Sequence, residues 1–134
     1  MHDAALRSLE WLVRIQLSPT GCFSPVGSNG FYTRGKQMAH FDQQPVEAWA
    51  TISACLEAHG MTGKEHWRTA AENAFDWFLG RNDLRVPVYD PTTGGCRDGL
   101  HPDRANRNQG GESTLAFLLS LVEMRLAQSV IRES

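Results

Sequence analysis

Four acidic residues, Asp42, Glu47, Asp98 and Glu112, lie in or beside two long stretches rich in glycine, amide and aromatic side chains. Glycoside chemistry uses two carboxyl groups flanking the scissile bond, one protonated as general acid and one ionised as base or nucleophile. These four are the catalytic candidates. Tyr32, Phe41, Asn82, Tyr89, Asn108 and Gln109 occur in the same stretches. Amides of this kind hydrogen-bond sugar hydroxyls and aromatic rings stack on sugar faces, so these six are the substrate-binding candidates.

Each carboxylate also has a purely architectural reading. Asp42 can cap the helix that Pro45 opens, and Glu47, three residues after Gln44, can bond back to free amides of the first turn. Glu112 is favoured at a helix N-terminus by the macrodipole, and Asp98 before Gly99 is a common turn pair. His40, next to Phe41 and Asp42, has the ring for acid–base work near neutral pH but equally well hydrogen-bonds as a packed loop residue. Cys22, His40, Cys96 and Asp98 lack the spacing of a metal site, and neither a metal nor a cofactor is expected. Cys55, mid-helix, reads as a small buried hydrophobe.

The elements that position these residues are read from apolar periodicity, which points to an all-α fold of about four helices in antiparallel hairpins within a single domain, residues 1–134. The first helix is expected over about Asp3 to Leu17, with Ala5, Leu6, Leu9, Leu12 and Val13 on its apolar face. The second spans about Pro45 to His59 and presents Val46, Trp49, Ala50, Ser53 and Leu56. The third runs from about Lys64 to Leu79 and presents Trp67, Ala70, Ala71, Ala74, Trp77 and Phe78, with Gly80 as its stop. The fourth covers about Glu112 to Ile131 and presents Leu115, Leu118, Leu119, Val122 and Leu126.

Helices two and three are joined by the tight turn Gly60-Met61-Thr62-Gly63, whereas Ser18 to Gln44 and Arg81 to Gly111 are long connections. Structureless loops above about 12–15 residues are uncommon and usually functional. Alternating helices place both long loops at one end of the bundle, so a site is expected there. Phe23, Phe31, Tyr32 and Phe41 are too many aromatics for a solvated linker.

Charge is nearly balanced, 13 Lys plus Arg against 15 Asp plus Glu, with no basic run to follow a phosphate backbone, so nucleic acid is not an expected partner. No apolar run approaches the roughly 20 residues of a membrane span, and the N-terminus lacks signal-peptide character. The expected location is the cytoplasm, with the three cysteines reduced.

Four blocks, Phe41-Asp42-Gln43-Gln44-Pro45-Val46-Glu47-Ala48, Trp77 to Asp83, Tyr89-Asp90 with Gly94 to Leu100, and Asn108 to Thr114, resemble the helical region C-terminal to glycosyltransferase domains in bacterial sugar-transferring proteins, similar in style to six-hairpin (α/α)6 toroid glycosidases. The resemblance runs from about Trp11 to Met124 and implies a carbohydrate-active or carbohydrate-binding domain, with a sugar or glycan as ligand. Four helices make about a third of such a toroid. Uncovered apolar flanks follow, and with them a homo-oligomer or a partner chain. Two further readings are a non-catalytic scaffold completing a larger sugar enzyme and a ligand-free bundle whose loops fill their own cleft.

Overall fold

The computed structural model describes residues 2–133, with side chains through residue 130. The order is α1 (His2–Ile15), α2 (Pro45–Thr62), α3 (Glu65–Phe78), β1 (Tyr89–Asp90), β2 (Gly95–Cys96) and α4 (Gly111–Glu133). The chain is therefore mostly helical. Among the described residues the one small sheet is an antiparallel hairpin inside the second long loop, pairing Tyr89 with Cys96 and Asp90 with Gly95. No described helix is long and apolar enough to cross a membrane.

Proline opens α2 where its missing N–H costs nothing, and Gln44 stands before it in extended conformation without a side-chain cap. The helix runs through Gly60 and stops at Gly63, whose φ of 71° lets its N–H close on the His59 carbonyl. The turn to α3 is thus shorter than the sequence suggests. The α2–α3 hairpin is the most intimate contact in the molecule, and α4 packs next on α2.

The predicted face of α3 is the buried one: Trp67, Ala71, Ala74, Trp77 and Phe78 are in the core, with Ala70 half-buried. On α2 the expected face is wrong. Its buried residues are Pro45, Ala48, Thr51, Ile52, Cys55 and Ala58, while Val46, Trp49, Ser53 and Leu56 are only half-buried and Ala50 is exposed. Small side chains let α2 lie close to α3 on one side and α4 on another, and both flanks are used.

The correction on α4 goes further. Ser113, Ala116, Phe117, Ser120 and Met124 face inward, whereas Leu115, Leu118, Leu119, Val122 and Leu126 all point outward. Two residues along a helix is about 200°, so the two sets occupy opposite faces. Phe117 supplies the inward anchor: its ring stacks on Tyr89 at 4.2 Å and meets Phe78 at 5.3 Å and Phe75 at 5.9 Å. Such ring pairs contribute about 0.5–1.5 kcal/mol each beyond their buried area.

α1 ends at Ile15, two residues before the expected boundary, because Leu17 turns to pair with Phe23. None of its residues is fully buried, and Leu6, Leu9 and Val13 only lean on the core.

Candidate functional site

The two long loops meet across an isolated antiparallel bridge in which Gln43 and Leu100 exchange backbone hydrogen bonds, both at 2.9 Å. Gly99 makes this approach feasible. Its φ is 146°, and a Cβ there would collide with the Gln43 carbonyl oxygen. Two residues before the bridge stands Asp98, which binds the N-terminus of α4, so α2 and α4 begin at the same end of the molecule.

Gln43 is fully buried and joins three parts of the chain. Its Oε1 accepts from Trp77 Nε1 at 2.9 Å, while its Nε2 donates to Asp83 Oδ2 at 2.7 Å and the His40 carbonyl at 2.9 Å, with Ser24 Oγ at 3.3 Å. Ser24 donates to the same Asp83 oxygen at 2.6 Å. A buried amide with this many partners sets the position of its neighbours on both sides.

Asp42 is one of those neighbours. Its carboxylate does not cap α2 but accepts from His101 Nδ1 at 2.9 Å, and the His101 Nε2 then accepts from Asn106 Nδ2 at 3.3 Å. The two side chains of the pair keep 35% and 28% of their surface, enough for solvent or ligand to reach them. Residues 42 and 101 thus form an acid–imidazole pair across the loop junction. His101 and Asn106 escape a sequence reading because no local spacing marks them.

The other three carboxylates have different surroundings. Glu47, in the first turn of α2, is half-buried with Oε2 lacking a hydrogen-bond partner. Burial pushes its carboxyl up to about 7, partly countered by the Gln44 backbone. Asp98 accepts from Ser113 Oγ and from the Gly110 N–H, both at 2.8 Å, and from the Asn108 amide. Burial works against the ionised form, but hydrogen bonds from Ser113, Asn108 and Gly110 hold it below the usual carboxylate range. Its oxygens are committed to fixing the start of α4. Glu112 is exposed and makes no side-chain hydrogen bond among the described residues.

Of the binding candidates, Asn82 is an internal brace: only 2% exposed, it donates to the Trp77 and Val86 carbonyls and accepts from the Leu84 and Val86 amides. No group of it is left for a ligand. Asn108 serves Asp98, and Gln109 ties Asp90 and Thr93 of the hairpin to the start of α4. Hydrogen bonds from Thr92 hold Asp90 below its usual range. Tyr89 is half-buried on Phe117, and Phe41 leans on the core. Tyr32 alone of the six is an exposed ring, 47% accessible and stacked on Trp11 at 6.3 Å beside Arg34 and Lys36. His40 is exposed and gives only its carbonyl to Gln43.

Among the described residues no three His, Cys, Asp or Glu side chains gather as metal ligands. Cys55 and Cys96 are buried, with thiols that burial pushes up to about 11 and about 12, and Cys22 is half-buried. A separate cleft of about 380 Å³ lies between α1, α3 and the first loop, lined by Val13, Leu17, Phe23, Ala70, Asn73 and Arg81 among others. It contains none of the catalytic or substrate-binding candidates. No family model matches the chain, and no curated protein matches it.

Proposed function

We propose that the chain is a helical carbohydrate-active or carbohydrate-binding domain linked to glycosyl transfer or glycoside processing, built as an arc of an (α/α)6 toroid. The observation that supports this best is the Asp42–His101 pair at the junction of the loops. The Asp42 carboxylate fixes the imidazole as the tautomer with its proton on Nδ1. The Nε2 lone pair is then occupied only by the 3.3 Å bond from Asn106, which a sugar hydroxyl displaces at little cost.

In that position Nε2 takes the hydroxyl proton as a general base, and Asp42 stabilises the imidazolium that forms. Glu112 is the carboxylate freest to face a ligand, and Glu47, protonated over part of the neutral range, has the character of an acid. Tyr32 with Trp11 offers an exposed aromatic surface for a sugar face. Three unpaired thiols support a cytoplasmic location.

The test is calorimetric titration with a panel of mono- and oligosaccharides and nucleotide sugars, run on the wild type, Asp42→Asn and His101→Asn. The expected result is a ligand whose affinity drops at least tenfold in both variants. Silence across the panel at millimolar sugar sinks the reading. A second reading, a non-catalytic module that completes a larger sugar enzyme, is favoured by α1, which has no fully buried residue and leaves Trp11 49% exposed. A scaffold of this kind binds none of the panel.

A further inference from the structure

We propose that the outer face of α4 seats a second copy of this chain, paired about a two-fold axis running along the helix. This stands independently of the sugar reading. The face is a continuous stripe of Leu115, Leu118, Leu119, Val122, Leu126 and Val130, each between 36% and 67% exposed. At 1.5 Å per residue it runs for about 22 Å. Isolated exposed leucines are ordinary, but six in register on one helix are a patch of roughly 600 Å², at the upper limit of what a monomer leaves open.

Size favours a second copy as the occupant. Two such faces together cover about 1,200 Å², the lower bound of stable specific interfaces. A single straight ridge also matches its own image, as an isologous contact requires.

Charge selects the orientation. On a helical projection Glu112 and Glu123 lie along one flank of the stripe and Arg125 along the other. A two-fold axis parallel to the helices sets the acidic flank of each copy beside the basic flank of the other, whereas antiparallel pairing sets acid beside acid. Arg125 is exposed and makes no ion pair among the described residues, so the guanidinium of each copy is free to face the acidic flank of the other.

Sedimentation equilibrium and light scattering on the full chain test the proposal. The expected mass is twice the 14.9 kDa of one chain. Leu126→Glu, at a position 61% exposed and outside the core, is expected to weaken the dimer at least tenfold while leaving the circular dichroism spectrum unchanged. Arg125→Glu is expected to weaken it at least threefold. Val122→Cys in a Cys22→Ser background is expected to cross-link to itself on oxidation, because residues on a parallel two-fold face their own copies. A monomer at about 100 µM overturns the proposal and leaves the stripe to another protein or to chain outside these residues. A dimer insensitive to Leu126→Glu overturns it as well.

Discussion

Replacing Gln43 by methionine keeps the length and volume of the side chain and removes every polar group. Among the described residues, Trp77, which is fully buried, loses the acceptor of its Nε1, and the part-buried His40 carbonyl loses its side-chain donor. Each buried group left unpaired costs about 1–3 kcal/mol, and Asp83 keeps Ser24 and solvent, so the total is about 2–5 kcal/mol. With an unfolding entropy of about 2.1 cal/mol/K per residue over 134 residues, each kcal/mol lowers Tm by about 3.5 °C, a fall of about 7–18 °C in all. Urea unfolding followed by Trp fluorescence gives the free energy, and near-UV dichroism reports the packing of Trp77. Gln44→Met is the matched control, since that amide is exposed and holds only Ser28 at 3.3 Å, and its expected cost is below about 0.5 kcal/mol. Equal losses at positions 43 and 44, or a loss below about 1 kcal/mol at 43, would show that the buried amide does not organise the loop junction.

Glu47 carries a pH signature. Its folded value is raised from 4.5 to about 7, so its stabilising contribution is complete below 4.5 and is lost as pH rises through 7. The interval corresponds to about 3.4 kcal/mol at most, and solvent around this half-exposed group reduces it to about 1–2 kcal/mol. Glu47→Gln should therefore be more stable than wild type by about that amount at pH 8 and nearly equal at pH 4.5; parallel urea midpoints across the range would contradict the assigned burial. Gly99→Ala meets both a positive φ and the Gln43 carbonyl, and is expected to cost more than about 3 kcal/mol and to separate the loops, read as lost amide protection at Gln43 and Leu100. The sugar titrations with Asp42→Asn and His101→Asn and the dimer mass with Leu126→Glu complete the set.

What the sequence made legible depended on how many neighbours each helix has. α3 buries one face, and its apolar stripe marks that face correctly. α2 is enclosed on more than one side, so no stripe dominates, and the small residues Ala48, Thr51, Cys55 and Ala58 go deepest because helix–helix approach rewards small size. α4 has two apolar faces, and the larger aliphatic one was the natural choice for the core. The inner face was chosen instead by the fit of Phe117 among Phe75, Phe78 and Tyr89, which no periodicity reports. The same limit applies to the site. Asp42 was visible as a carboxylate, but its partner is 59 residues away, and Gln43 looks no different in sequence from Gln44 beside it.

The shallow seating of α1 has a kinetic meaning. The helix is held chiefly at its C-terminal end, where the Gln16 amide reaches Thr51 at 3.3 Å and the Gln16 carbonyl accepts from Ser24 at 2.6 Å. From there back to His2 it buries nothing completely, so its first turns open at a small fraction of the global unfolding free energy. Val13 forms part of the wall of the cleft shared with α3. Amide hydrogen exchange is therefore expected to be fastest in the first turns of α1 and to slow towards Val13 and the anchored Gln16.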